Sequence, residues 1–383
     1  MSFPCRNWQS FLGLLRYALG SQTDIPDVQP EEWKDIWNMS EQQAVMGILF
    51  NGIEKLRNEG KSITIPKDIL LRWIFVAEQI RQQNVLLNQR CVEVTAQLQR
   101  NGFNSCILKG QGNATLYDVR CKKEDGRCLA LLRQPGDIDV WVISKSDVRC
   151  KREDVKRIIR YARAKNPNGK ACYHHVDFGD FKGVEVEIHY RPSLMYNPVH
   201  NRRLQRWFCK MADGGCVMAE LPDGTGAISI PNREFNIIFQ LSHIYNHLLH
   251  EGIGLRQIID YYYVLKSNTN CTNNTNYQDT LRFFGLEKIA GAVMWVLNEV
   301  LGLSKDYLIA PKDERLGRVL LEEILRGGNF GQYDDENIQA DSQLKKNWQR
   351  IKRDARMVRY FPSECLWEPL FRIYHFLWRK WYN

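Results

Sequence analysis

Residues 135–143 read Pro-Gly-Asp-Ile-Asp-Val-Trp-Val-Ile, a turn that opens straight into a β-branched and aromatic run. That order predicts a short buried strand. Side chains alternate along a strand, so Asp137 and Asp139 project from one face. Two carboxylates there repel each other and lose hydration unless a cation lies between them. Such an oxygen-rich site suits a hard divalent ion such as Mg²⁺.

Upstream, the apolar run 105–108 ends in Lys109-Gly110-Gln111-Gly112, and residues 113–117 can begin a helix. Strand, glycine turn and helix start together present backbone N–H groups to a phosphate. Lys109 adds a point charge. The spacing of a Walker loop is absent. Downstream, residues 173–178 and 184–190 read as a hairpin around the glycine-flanked turn 179–183. In its second arm Glu185, Glu187 and His189 share one face, and Val184, Val186 and Ile188 the other.

With a Lys-Gly turn, a Gly-Asp-Ile-Asp strand and a Glu-Val-Glu-Ile-His strand in this order, the sequence resembles the polymerase-β-type nucleotidyltransferase superfamily. Within it the chain looks most like the bacterial family of uncharacterised nucleotidyltransferases. That family shows a Leu-Lys-Gly turn, an arginine shortly before Gly-Asp-Ile-Asp, and an acid-x-His strand. Arg133, Asp137, Asp139, Glu187 and His189 stand at those places here. A further match is Gly252-Ile253-Gly254-Leu255-Arg256-Gln257-Ile258-Ile259-Asp260, preceded by His243 and His247. The resemblance covers residues 70–265 well and the flanking helices loosely.

The resemblance implies an α+β fold: a small mixed β-sheet flanked by N- and C-terminal helical regions. It implies two divalent ions, Mg²⁺ or Mn²⁺, held by Asp137, Asp139 and a third acid, Glu187, with Glu185 as the alternative. Such ions serve to lower the pKa of an acceptor hydroxyl and to neutralise the triphosphate. Lys109, Gly110, Arg133 and Gly136 would then hold the NTP phosphates, and His189 would support the acids. His243, His247 and Arg256 would supply nucleobase or acceptor contacts. The implied reaction moves an NMP from an NTP to a hydroxyl on an RNA end, a protein or a small molecule, releasing pyrophosphate. The alternative is an inactive nucleotidyltransferase fold that senses NTP or serves as a scaffold.

Read on their own, some of these residues have simpler roles. His243 and His247 have metal-ligand spacing, but no glutamate follows His243, so they read first as hydrogen-bonding histidines. Arg256 and Asp260 are four apart, as in a helix-surface ion pair. Two features depart from the superfamily pattern. Gly110 to Asp137 spans 27 residues, with the excess in the charged stretch 118–128. Lys-Gly also replaces the usual Gly-Ser pair.

Eleven cysteines without CxxC pairs argue against a disulfide framework or a zinc site and predict a reducing, cytoplasmic setting. The first residues lack a signal-peptide layout, and no apolar run approaches bilayer length. The net charge of +9 is uneven: residues 344–383 hold ten Lys/Arg against three acids. Within that tail Arg372, His375 and Arg379 form one helical stripe, and Leu370, Tyr374, Leu377 and Trp381 another. Basic residues mixed with tryptophan suit RNA, or peripheral contact with an anionic membrane or a protein. The simplest expectation docks the aromatic stripe on the body and leaves the basic one solvated.

Along the chain, residues 1–100 read as an N-terminal helical region and 101–195 as the α/β core. Residues 196–230 read as a linking region with a turn at 223–226, and 231–383 as a C-terminal helical region ending in the basic tail. Helices are expected at 41–57, 70–98, 153–165, 233–250, 255–266 and 286–301, with a polar loop at 267–277.

Overall fold

Four helices come first: α1 (Arg6–Leu19), α2 (Trp33–Gln42), α3 (Met46–Asn58) and α4 (Lys67–Arg100). The computed structural model describes residues 6–24, 26–61, 63–117, 128–143, 152–267, 277–333 and 343–382. Most of the charged stretch 118–128 and most of the polar loop 267–277 thus lie outside the described residues. The helix expected over 41–57 is broken. Ala44 takes φ 54°, and the buried Gln43 donates through Nε2 to Ile324 O (2.9 Å) while its Oε1 accepts from Leu255 N (3.0 Å). The chain leaves the helix at this point and starts a new one at Met46.

α4 has no interior Gly or Pro, and Trp73, Ile80, Leu87 and Val94 recur every seven residues on its buried face. Asn84 and Asn88 interrupt that face. The helix packs on α3 and on the first strand, β1 (Asn104–Ile107). After β1 the helix expected at 113–117 is a single turn, α5 (Gln111–Ala114). Gly112 is required there, because a Cβ would lie 2.7 Å from Ile107 O.

β2 (Ile138–Ile143), α6 (Arg152–Lys165), β3 (His175–Asp180) and β4 (Glu185–His189) complete the core. The sheet order is β1-β2-β4-β3, with β2 and β4 parallel and both outer pairs antiparallel. Parallel neighbours need a crossover, and α6, packed on β3, lies in it. The protein is therefore the expected α+β class, a small mixed sheet among helices.

The 196–230 segment contains regular secondary structure. It holds α7 (Pro198–Met211), capped by Asn197, and a hairpin of β5 (Cys216–Glu220) and β6 (Ala227–Pro231) whose second strand packs on β1. Next come α8 (Arg233–His250), α9 (Leu255–Lys266), α10 (Tyr277–Phe284), α11 (Glu287–Trp295, continued as a π turn to Val300) and α12 (Glu314–Gly327). α13 (Gln343–Met357) and α14 (Pro362–Tyr382) close the chain. Every residue of α9 from Leu255 to Leu265 is buried, including Arg256, Gln257 and Asp260. A charged helix can sit that deep only if its polar groups are paired.

The tail corrects its expectation. α14 docks through Phe371, His375, Trp378 and Tyr382, while Leu370, Tyr374, Leu377 and Trp381 are exposed. Tyr173 contacts Phe371 edge-on at 5.3 Å and donates its backbone N–H to His375 Nε2 at 3.1 Å. Arg372, expected in solvent, bonds Glu368.

Candidate functional site

The register of β2 and β4 sets Asp139 directly opposite Glu187. Adjacent strands lie about 4.8 Å apart, so their carboxylates meet on one face. Asp137, one residue before β2, completes the set: the three acids each offer an oxygen within 4.8 Å of the others. Asp137 is exposed, Glu187 half-buried and Asp139 buried. Glu185 pairs with Asp180 in the register and stands outside this group. The geometry thus favours Glu187 over Glu185.

Asp139 Oδ1 lies 3.2 Å from Lys109 Nζ and 2.9 Å from His189 Nε2. His189 Nε2 is also 3.3 Å from Glu187 Oε2. Burial alone would raise the Asp139 pKa, but the Lys109 charge and the His189 hydrogen bond hold it below its ordinary value. Burial likewise opposes ionisation of Glu187, yet His189 and His175 bring it down to about 2. His189 is disfavoured as a cation by burial, but its two carboxylate partners raise it to about 9. Asp139 and Glu187 are therefore ionised at neutral pH, with a protonated His189 between them.

Asp139 Oδ2 is buried, and among the described residues it has no hydrogen-bond partner. An ionised oxygen left bare in the interior is costly. A third and a second carboxylate beside it make the donor set one that a hard divalent cation satisfies.

Arg133 does not present a free guanidinium. Its Nε and Nη2 donate to Asp260 Oδ1 and Oδ2, each at 2.7 Å, and Nη1 donates to Gln134 O at 3.2 Å. Tyr117 Oη donates to the same carboxylate at 2.6 Å. These bonds tie the segment before Asp137 to α9, while Arg133 still lines the cleft beside the acids. Asn84 fixes the same segment, with Nδ2 on Leu131 O (2.8 Å) and Arg133 O (2.7 Å). The sequence reading missed Asn84, although an Asn pair four apart on the apolar face of α4 was a visible polar signal.

Arg256 and Asp260 do not form the surface pair that their spacing allows. Arg256 is buried, donates to Pro135 O at 3.2 Å, and packs over the Phe330 ring at 5.1 Å. Burial lowers its pKa to about 10. Gly136 sits against it, since a Cβ there would be 3.4 Å from Arg256 Nη1. Gly110 takes φ 58°, and its Cβ position faces Asp137 O at 3.5 Å. Lys109, Gly110, Arg133, Gly136, Asp137, Asp139, His243 and Arg256 all line one cleft, which Gln240, Gln257, Asp260 and Phe330 complete. His247 is outside it. Its Nε2 lies 2.9 Å from His243 Nε2 and its Nδ1 3.3 Å from Glu251. Burial keeps His243 neutral.

No curated protein and no solved structure matches the chain. The model of a family described as uncharacterised nucleotidyltransferase matches residues 29–302. That span contains the sheet, the three acids, the Lys-Gly turn and α9, and the protein belongs to the uncharacterised nucleotidyltransferase family.

Proposed function

We propose that the protein transfers a nucleoside monophosphate from an NTP to an acceptor hydroxyl and releases pyrophosphate. The observation that carries this reading is the convergence of Asp137, Asp139 and Glu187 around a bare, ionised oxygen of Asp139. These residues would hold two divalent ions, Mg²⁺ or Mn²⁺. Bound there, such ions supply charge neutralisation and a lowered acceptor pKa.

The chain's own side chains do the rest. His189 hydrogen-bonds Asp139 and Glu187 and so fixes both carboxylates. Lys109, ion-paired to Asp139, would turn its ammonium to a phosphate oxygen of the bound NTP. Arg256 brings a second cation to the Gly136 turn. The acceptor is a hydroxyl of an RNA end, a protein side chain or a small metabolite.

A thermal-shift panel of the four NTPs with Mg²⁺ or Mn²⁺ tests this. Binding to the folded state alone raises the melting temperature. One NTP should give a cation-dependent rise that Asp137→Asn removes. Asp137 is exposed, so this variant keeps the core. With that NTP, label in the α-phosphate should appear in an acceptor as pyrophosphate leaves. No rise with any nucleotide and cation defeats the reading and leaves a scaffold fold.

A further inference from the structure

α14 has two apolar faces, and only one is used. Leu366, Leu370, Ile373, Leu377 and Trp381, spaced by four, three, four and four residues, form one stripe down the helix. Each of the five is 45 to 65 % exposed. A contiguous apolar strip of this size on a surface marks an interaction site.

The charges beside it are one-sided. Glu364 is turned inward, with Oε2 accepting from Asn197 N at 3.1 Å, and the buried Glu368 is paired with Arg372. Asp354 is only half-exposed. Among the described residues from 350 to 382, every exposed charged side chain is basic: Lys352, Arg359, Arg379 and Lys380.

A second observation points to the same chemistry. A cavity of about 570 Å³ opens against α14, walled by Trp367, Leu370 and Tyr374 on one side. Arg202 and Arg206, four apart and exposed on α7, form the other side with Arg191, and no acid among the described residues lines it. The cavity thus joins an apolar wall to guanidinium groups, the pattern of a site for an anionic amphiphile.

We propose that α14 is an interfacial anchor that lies on an anionic lipid bilayer. Leu366, Leu370, Ile373, Leu377 and Trp381 enter the acyl boundary, and Arg379 and Lys380 meet the headgroups. Arg202 and Arg206 take a lipid phosphate at the cavity mouth. The helix lies on the membrane and does not cross it: among the described residues no helix is long and apolar enough to span one. A second copy of the chain fits less well, because face-to-face pairing would oppose two basic surfaces. RNA would satisfy the charges and leave four aliphatic side chains in water.

The test is sedimentation of the full chain with vesicles of phosphatidylcholine, with and without 30 mol % phosphatidylglycerol, a composition giving the surface potential on which each basic residue contributes about 1 kcal/mol. Binding should need phosphatidylglycerol and weaken with salt. Ile373→Glu with Leu377→Glu should abolish it at an unchanged melting temperature. Arg202→Ala and Arg206→Ala should each weaken it about fivefold, the factor equal to about 1 kcal/mol. The proposal is overturned if the chain ignores both vesicles, or if the double variant binds like wild type. It is equally overturned if that variant instead removes a dimer seen by light scattering, or retention on an RNA oligonucleotide. Nucleotide-dependent thermal shifts are read separately, so failure here leaves the transfer reading untouched.

Discussion

Arg133 and Asp260 lie 127 residues apart and meet through two parallel 2.7 Å hydrogen bonds, each side chain about 5 % exposed. The pair locks the segment leading into Asp137 to the middle of α9, and so couples the acidic strand to the helix that carries Arg256. Burial opposes both charges, but each holds the other ionised: the Asp260 carboxyl stays below its ordinary value and the Arg133 guanidinium above its own.

Removing one partner strands the other charge in the interior. Asp260→Ala should therefore destabilise the fold by about 3–5 kcal/mol. Arg133→Met with Asp260→Leu together should cost much less, since an apolar pair of similar volume leaves no bare charge. Urea unfolding of the three variants measures this. Equal losses for single and double variants would show that the pair acts only through packing.

Lys109 is ion-paired to Asp139 and would compete for it with a cation held by the acids. Lys109→Gln should tighten Mn²⁺ binding without nucleotide by about tenfold, a modest share of the Coulomb term at 3.2 Å. The same change should weaken NTP binding, because a phosphate partner is lost. Titration followed by electron paramagnetic resonance reads the first effect. Unchanged Mn²⁺ affinity would remove Lys109 from the cluster.

Phe330 caps the cleft at φ 54°, in a backbone region that favours glycine, with its ring 5.1 Å from the Arg256 guanidinium carbon and 5.0 Å from the His247 ring. Phe330→Gly should relieve strain of about 1 kcal/mol while opening the cleft. Association of a fluorescent NTP analogue should speed up, and more so than in Phe330→Ala at equal stability. Stopped-flow traces that match wild type would place the ring outside the entry path.

Asp354 gives a pH signature far from the acids of the sheet. Burial, then the charge and hydrogen bond of Glu368, push its pKa up to about 7, against the opposing pull of Arg372 and Arg353. The folded state thus holds a proton that the unfolded chain, at the ordinary 3.8, releases. The stability this contributes is full below that value and is lost as pH rises through about 7. Asp354→Asn keeps a neutral donor, so its melting temperature should gain on wild type between pH 5 and pH 8. A parallel pair of curves would rule the shift out.

The sequence alone determined a great deal that is local. The helices at 233–250 and 255–266 stand where their periodicity put them, because spacing of apolar residues and flanking caps act within a few turns. The Asp-x-Asp strand and the Glu-Val-Glu-Ile-His strand were legible for the same reason, since alternation fixes which side chains share a face. Family membership followed from those short motifs in order.

Tertiary structure decided every question of partnership. Arg133 offered a charge that a phosphate or a carboxylate could take, and only the approach of α9 assigned it to Asp260. Glu185 and Glu187 were equivalent along the strand until the register with β2 placed one of them opposite Asp139. On α14 the pattern contained two apolar stripes. Burial of Trp378 and exposure of Leu377 depended on which one met Tyr173 and Tyr190. Periodicity says what a face can bury. Which face finds a neighbour depends on residues far away in the chain.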